Sequence, residues 1–328
     1  MRILCLHGVG SNPDLLRSQL GPLLPLLSSP ANLAFLPAPF TLSTPPPHLT
    51  TLHPGPYLAW YPSPALHLVR SAHAYVVSFI RRTGPYDVLL GFSQGASLAA
   101  SLLLHHELEA KNPRDKDTGR LVKGAIFLGG VLPFAGCTGW GVDVRGYFGV
   151  PVGRGVGGEG KEEGRERGMA AVVREGLVPA GEGMDWFLRP DVEAIEVGGG
   201  GGGHGGHGDH QKENQGKGVV DGGGGSSWGG GKKRKGCVGH KECAAAWEES
   251  GELYYQMFHA SVDKVRIGIP TAHAYGRKDP WREHSRDLVE LCGGRTWTYE
   301  HDGGHEIPKD EREEICDVIE SLLCAIRK

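Results

Sequence analysis

The sequence predicts an α/β fold in which a mostly parallel central sheet is covered by helices on both faces. Short apolar segments of four or five residues recur along the chain, and segments with helical periodicity lie between them. Strands that are apolar throughout are typical of parallel sheets buried on both sides. Their alternation with helices favours one doubly covered sheet over separate helical and sheet domains.

Ten segments carry this pattern and are assigned in order. Strands are predicted at 3–6, 32–36, 86–90, 124–128, 272–275 and 296–299. Helices are predicted at 14–27, where prolines shorten the helix into a turn, and at 66–83, 95–108 and 310–326. The proline-rich stretch from residue 37 to 64 is predicted to be a loop, because proline lacks a backbone donor and cannot continue a helix.

Glycine is concentrated in one part of the chain. Of the 328 residues 53 are glycine, and many of them lie between 153 and 236, including the unbroken run 198–203. A segment of this composition cannot bury enough apolar surface to offset the entropy of ordering it. We therefore predict one domain spanning 1–328, in which 154–248 is a disordered, low-complexity insertion or lid region.

Charge and apolar patterning exclude several classes of protein. The net charge of −3 gives no general electrostatic reason to bind nucleic acid or an anionic membrane. The first apolar run ends at His7, too early for a secretory signal, and no run is long enough to span a bilayer. Seven scattered cysteines do not form a disulfide pattern, so we expect a cytoplasmic protein. The basic cluster from Lys232 to Lys235 is a weak nuclear signal or a solubilising patch.

A nucleophilic serine is predicted at the turn between a strand and a helix. Residues 91–95 match the G-x-S-x-G pattern with Ser93 at its centre, and Gly91 and Gly95 leave room for a sharp turn. The pattern recurs around Ser227 inside the glycine-rich segment, with no strand before it and no helix after it. Only the first match has the context of a nucleophile elbow, and this context indicates an α/β-hydrolase.

The acid and the base that would activate Ser93 are expected downstream of it, because in this fold they follow the nucleophile in the order Asp or Glu, then His. Asp279 lies in a polar turn after the predicted strand 272–275, and His305 follows two glycines after the last predicted strand. His301 is the alternative base and Asp302 the alternative acid. We predict that Asp279 orients His305, which activates the serine.

The predicted oxyanion hole combines two backbone amides. One belongs to Gln94, the residue after the nucleophile, and the other to the loop after the first strand. In that loop Val9 is the first candidate and Gly10 the second. His7 is expected to brace the loop and to take no part in the chemistry.

These motifs together resemble the FSH family of serine hydrolases. The resemblance covers 1–135 and 262–328 and is carried by the blocks 2–8, 91–95, 276–280 and 303–305, with an aromatic stretch at 57–61. It implies an α/β-hydrolase fold and esterase or thioesterase activity on small or acyl-chain substrates. In fungal members it sometimes implies release of acyl chains from biosynthetic carrier proteins.

The sequence thus predicts a serine hydrolase that cleaves a carboxylic ester or thioester through an acyl-enzyme. The expected partner is a small-molecule or acyl-carrier-bound substrate, with no nucleic acid, no membrane and no cofactor. Two alternatives stay open, an acyltransferase with the same triad and a non-catalytic binding protein of this fold. No metal is expected, because Cys237, His240 and Cys243 lack a second ligand pair at zinc-finger spacing. An apolar acyl pocket near Trp140, Trp186 and Phe187 is one interpretation of those aromatic residues, and core packing is the other.

Overall fold

The computed structural model describes residues 1–27, 31–43, 47–110, 119–145 and 255–327. Most predictions for the glycine-rich segment concern residues outside these ranges. The insertion 154–248, the Ser227 motif, the Cys237 to Cys243 group, the basic cluster at 232–235, Trp186 and Phe187 all lie outside the described residues.

Strands and helices alternate along the described residues. The strands are β1 (Arg2–Leu6), β2 (Asn32–Leu36), β3 (Phe40–Thr41), β4 (Leu58–Ala59), β5 (Val88–Phe92), β6 (Gly124–Leu128), β7 (Phe134–Ala135), β8 (Val142–Asp143), β9 (Gln256–Met257), β10 (Thr271–Gly276) and β11 (Thr296–His301). The helices are α1 (Pro13–Leu20), α2 (Pro47–Thr50), α3 (Leu66–Thr83), α4 (Gln94–Ala110), α5 (Arg282–Glu290) and α6 (Arg312–Arg327), with a 3-10 turn at Leu24–Leu26.

Six of these strands form one parallel sheet in the order β11-β10-β6-β5-β1-β2. All six strands of the predicted sheet are therefore confirmed, with bounds that shift by a few residues. From β1 the chain moves outward to β2, and β5 then lies on the other side of β1. The strand order reverses at this point, and such a reversal opens a crevice at the carboxyl ends of the strands, where ligands bind in open α/β sheets.

Helices cover both faces of the sheet, as the sequence predicts. Along β1 the side chains alternate, with Leu4 in one apolar cluster and Ile3 and Cys5 in another. The first cluster includes the buried faces of α3 and α4, and the second includes those of α1 and α6. Burial on both faces explains why the inner strands β1, β5 and β6 lack a polar side, whereas the edge strand β11 alternates and exposes Thr298.

The proline-rich stretch contains structure that the loop prediction missed. Its β3 and β4 pair antiparallel, Phe40 with Ala59 and Thr41 with Leu58, and Ser11 bridges to Leu58. The prolines flank these short strands and do not occupy them, so they do not interrupt the pairing. A second small sheet, in the order β7-β9-β8, was also not predicted from the sequence.

Among the described residues, no helix is both long enough and apolar enough to cross a membrane.

Candidate active site

Ser93 occupies a strained turn between β5 and α4. Its φ of 53° lies in the left-handed region, which non-glycine residues rarely adopt, and strain of this kind clusters at functional sites. A Cβ at Gly91 would overlap the carbonyl oxygen of Gly95, and a Cβ at Gly95 would overlap that of Leu6. Both glycines are therefore required by close backbone contacts, and the turn directs the serine hydroxyl to the carboxyl edge of the sheet.

Three side chains from distant parts of the chain meet at this edge. His305 Nε2 lies 2.8 Å from Ser93 Oγ, and His305 Nδ1 lies 2.8 Å from Asp279 Oδ2. One tautomer satisfies both contacts, with the Nδ1–H donating to the carboxylate and the serine hydroxyl donating to Nε2. The Asp279 side chain is fully buried, and its other oxygen accepts the Trp281 N–H at 2.8 Å. The carboxylate is thereby fixed from two sides.

The loops after β10 and β11 are joined to each other by backbone hydrogen bonds. The N–H of Arg277 donates to the carbonyl of His301 at 2.8 Å, and the N–H of Lys278 donates to that of Gly303 at 3.0 Å. Gly276 lies so close to the carbonyls of the opposite loop that a Cβ there would overlap them. This contact between neighbouring strand ends places the acid of one loop within reach of the histidine of the next.

Two further residues position the His305 ring, and the sequence analysis missed both. The ring stacks on Phe92 with a centroid distance of 5.4 Å and an interplanar angle of 30°. Gly129 has a φ of 52°, and a Cβ there would lie 3.3 Å from both His305 Cε1 and Phe92 Cε2. Phe92 occupies a variable position of the elbow motif and Gly129 simply follows β6, so neither carries a signal in the sequence alone.

The loop after β1 lies against the nucleophile. A Cβ added to Gly8 would be 3.2 Å from Ser93 Cβ. Within the described part of the chain, neither the Val9 nor the Gln94 amide has a hydrogen-bond acceptor, as two oxyanion donors would require. The Gly10 amide instead donates to the Leu58 carbonyl at 2.8 Å. The prediction of Gly10 as an alternative donor is therefore wrong, because pairing with β4 occupies its N–H.

Comparison with known proteins identifies the family. Residues 1–137 and 236–315 match the family described as Serine hydrolase (FSH1). The chain belongs to the FSH1 serine hydrolase family. The resemblance stated from the motifs is thus confirmed, and the family match covers the elbow, both later loops and the loop after β1.

Several fungal proteins named as hydrolases or esterases resemble this chain. Hydrolase FUB4 of Fusarium oxysporum f. sp. lycopersici is 38% identical over 136 residues, which cover 40% of this chain and 48% of that protein. Probable esterase tazC of Aspergillus terreus is 34% identical over 147 residues, covering 40% and 55%. Esterase FUS5 of Gibberella moniliformis is 34% identical over 142 residues, covering 40% and 58%. The chain spans about half the length of these relatives.

Solved structures add a distant similarity. RedJ, a thioesterase from the prodiginine biosynthetic pathway of Streptomyces coelicolor, aligns with a TM-score of 0.43 and 11% identity, over 98% of this chain and 84% of its own. Nothing about substrate follows from an alignment at this level.

The alternative acid and base of this FSH1-family chain are engaged in other contacts. His301 ends β11 and is buried, and its Nδ1 accepts the Gly303 N–H at 3.1 Å. Burial lowers the pKa of His301, which disfavours its charged form. Asp302 is largely exposed and pairs with Arg277 at 3.1 Å. Of the candidate acids and bases in the described residues, Asp279 and His305 are the ones in hydrogen-bond contact with the serine or with each other.

No cluster of three or more His, Cys, Asp or Glu side chains suited to a metal ion occurs among the described residues.

Trp140, which the sequence associates with an acyl pocket or with core packing, is partly buried and packs against the larger apolar cluster. This contact agrees with core packing at that position.

His7 is a buried neutral residue. Its Nε2 accepts the Ala38 N–H at 3.1 Å, so Nδ1 carries the proton and donates to the Gly8 carbonyl at 2.8 Å. Burial lowers the pKa of His7 from its ordinary 6.5 to about 4; the Gly8 hydrogen bond raises it and nearby His53 lowers it further. The expected bracing contact is present, and protonation would turn a second donor toward the Ala38 N–H.

The pKa of His7 predicts an effect of pH. Between about pH 6.5 and 4 the unfolded chain binds a proton at His7 and the folded protein does not, so the free energy of unfolding is expected to fall as the pH is lowered. Ring ¹⁵N NMR of the folded protein at pH 5.5 should find His7 neutral and protonated on Nδ1, whereas the urea-unfolded chain should be mostly doubly protonated. A doubly protonated ring in the folded protein would contradict this prediction.

Proposed function

We propose that this chain is a serine hydrolase that cleaves a carboxylic ester or thioester through a covalent acyl-enzyme on Ser93. The observation that carries the proposal is the unbroken hydrogen-bond chain from Asp279 through His305 to Ser93, with both distances 2.8 Å. A nucleophile, a base within reach of its proton and a group that orients the base are the requirements of this chemistry. These three hydrogen-bonded residues lie at the carboxyl edge of the sheet, beside the reversal in strand order.

Acylation is the first half of the proposed reaction. His305 Nε2 accepts the Ser93 proton while Oγ attacks the substrate carbonyl carbon, and the amides of Val9 and Gln94 hold the oxygen that becomes negative. The tetrahedral intermediate then collapses and its bond to the alcohol or thiol breaks. The leaving group takes the proton from His305, and the acyl group stays on Ser93 as an ester.

Deacylation repeats these steps with water. His305 accepts a proton from water, and the resulting hydroxide adds to the acyl carbonyl under the same two amides. Collapse releases a carboxylic acid and returns the proton to Ser93. Asp279 stabilises the positively charged imidazole in both halves and keeps its Nδ1 protonated, because the buried carboxylate accepts that N–H and the Trp281 amide.

The names of the relatives support an ester as the substrate. Esterase FUS5 and Probable esterase tazC carry the activity in their names, and both match about 40% of this chain. The acyl donor of this chain is proposed to be a small molecule or an acyl group on a carrier protein. An acyltransferase would share the triad and differ in the acceptor of the second step.

Labelling with a fluorophosphonate probe tests the proposal directly. Intact mass is expected to rise by one probe per folded chain, and peptide mapping is expected to locate the probe on Ser93. Heat-unfolded protein is the control, since a serine without its base does not react. Absence of labelling in folded protein, or labelling spread over several serines, would overturn the proposal.

Substrate assays complete this test. The labelled and unlabelled proteins are compared on p-nitrophenyl esters and acyl-CoA thioesters of graded chain length, with the free carboxylic acid quantified. If added alcohol or thiol captures most of the acyl group at millimolar concentration, transfer replaces hydrolysis as the second step.

A further inference from the structure

We propose that the side chains of Gln94, Trp60 and His7 form a buried brace that fixes the two oxyanion-hole amides relative to each other. We refer to these three residues as the amide brace. The inference rests on the proposed function, because it concerns the amides of Gln94 and Val9 that stabilise the oxyanion. The three side chains of the brace position these amides and do not themselves touch the substrate.

The brace begins on the residue that supplies one of the amides. The Gln94 side chain is turned into the core. Its Oε1 accepts the main-chain N–H of Trp60, and its Nε2 donates to the Tyr61 carbonyl, each at 2.9 Å. Gln94 is 1% exposed and Trp60 is fully buried, so water does not compete for these bonds. The first residue of α4 is thereby fixed to the segment that follows β4.

Trp60 carries the connection to the loop after β1. Its Nε1–H donates to the His7 carbonyl at 2.7 Å, and the rings of Trp60 and His7 lie 5.2 Å apart. His7 immediately precedes Gly8, which faces Ser93. The connection between the two sides of the oxyanion hole therefore passes from the Gln94 side chain to the Trp60 main chain, and from the buried Trp60 indole to the His7 carbonyl.

The His7 ring sets the orientation of the second amide. The Gly8 carbonyl and the Val9 N–H belong to one planar trans peptide, in which the two groups point in opposite directions. His7 Nδ1–H donates to that carbonyl at 2.8 Å, and the Ser11 N–H donates to it at 3.2 Å. Because the carbonyl is held on one side, the Val9 N–H is held on the other.

A fixed geometry matters here because oxyanion stabilisation depends on donors that are in place before charge develops. A displacement of the order of 1 Å by a change away from the reacting atoms can lower a rate by about 10²-fold. The side chains of the amide brace would hold both donors without contributing a side-chain atom to the site. Its loss should weaken binding of the transition state and leave binding of the substrate nearly unchanged.

Trp60→Phe tests the brace by removing the indole N–H while keeping an aromatic ring. We expect kcat to fall about tenfold or more with KM within about twofold, since one amide is displaced but not removed. The affinity for a boronic acid, which forms a tetrahedral adduct on the serine, should fall by the same factor as kcat. Gln94→Met, which keeps the main-chain amide, is expected to behave in the same way.

Tyr86→Phe is the matched control. It removes a hydrogen bond of 3.0 Å to Thr83 from another buried aromatic residue, which precedes β5 at the opposite end of that strand from Ser93. Its kcat and boronate affinity should equal those of the original protein, whatever the change in Tm. If Trp60→Phe lowers Tm but leaves kcat and boronate affinity unchanged, the brace is structural only and the proposal fails.

A measurement on the unaltered protein covers the case in which the variants do not fold. Hydrogen exchange followed by NMR should find the Trp60 indole N–H protected at least about 10³-fold, as for a bonded group in a stable core. Exchange at the rate of a free indole would overturn the brace. Failure of the proposed function is distinct, because the original protein would then lack fluorophosphonate labelling and ester hydrolysis.

Discussion

Replacement of Ser93 by alanine is expected to lower kcat for ester hydrolysis by about 10⁶-fold, the scale on which loss of a nucleophile is measured in serine hydrolases. The expected cause is loss of the covalent route, because His305 would then have no hydroxyl to deprotonate. The measurement is steady-state hydrolysis of a p-nitrophenyl ester at substrate saturation, compared with the rate in buffer. Fluorophosphonate labelling of the variant should disappear.

Ser71→Ala is the control for this substitution. Ser71 is exposed on α3, and its hydroxyl donates to the His67 carbonyl within the helix at 2.8 Å. Its kcat and labelling should match the original protein. A Ser93→Ala variant that keeps more than about a hundredth of the original kcat would be incompatible with a Ser93 acyl-enzyme.

Asp279→Asn is expected to lower kcat by about 10⁴-fold with little change in fold. An amide in place of the carboxylate favours the wrong tautomer of His305, which then presents an N–H to the serine. If the loss were below tenfold, Asp279 would not be the residue that orients the base.

The sheet could be predicted from the sequence because its signal is local. The strands β1, β5 and β6 are short apolar runs, because burial on both faces removes the need for polar alternation, whereas the edge strand β11 carries the alternation of a half-buried strand. The two-residue strands β3 and β4 could not be predicted in this way. Leu58 of β4 pairs with Thr41 of β3 and also bonds to Gly10 and Ser11, and no local pattern encodes contacts between residues so far apart in the chain.

The candidate site likewise contains residues that the sequence predicts and residues that it does not. The position of Ser93 follows from the elbow motif with its flanking strand and helix, and those of Asp279 and His305 follow from their order along the chain. Gly10 was a wrong choice because the partner of its amide comes from a distant strand. The roles of Trp60 and Gly129 also depend on distant contacts, which periodicity and spacing do not encode.

Gly95→Ala is expected to have a large effect on stability, and here two physical arguments predict opposite signs. Helix propensity alone favours alanine over glycine in α4 by about 1 kcal/mol. A Cβ at this position, however, would overlap the Leu6 carbonyl oxygen and lie 2.7 Å from that of His7. Backbone atoms cannot rotate away as a flexible side chain can, so α4 and β1 must separate. We expect the free energy of unfolding to fall by about 3 kcal/mol.

This separation should also reach the chemistry, because the same contact sets the distance between the elbow and the loop that carries Val9. We expect kcat to fall by about 10²-fold in the fraction that folds. Steady-state hydrolysis measures this loss, and urea unfolding monitored by tryptophan fluorescence measures the loss of stability. Gly119→Ala is the control, since Gly119 is exposed with nothing within 4 Å of an added Cβ, and its stability should change by less than about 0.5 kcal/mol. A Gly95→Ala protein as stable as the original would mean that helix propensity outweighs the steric contact. The elbow would then tolerate a side chain at a position where the Leu6 carbonyl leaves no space for one.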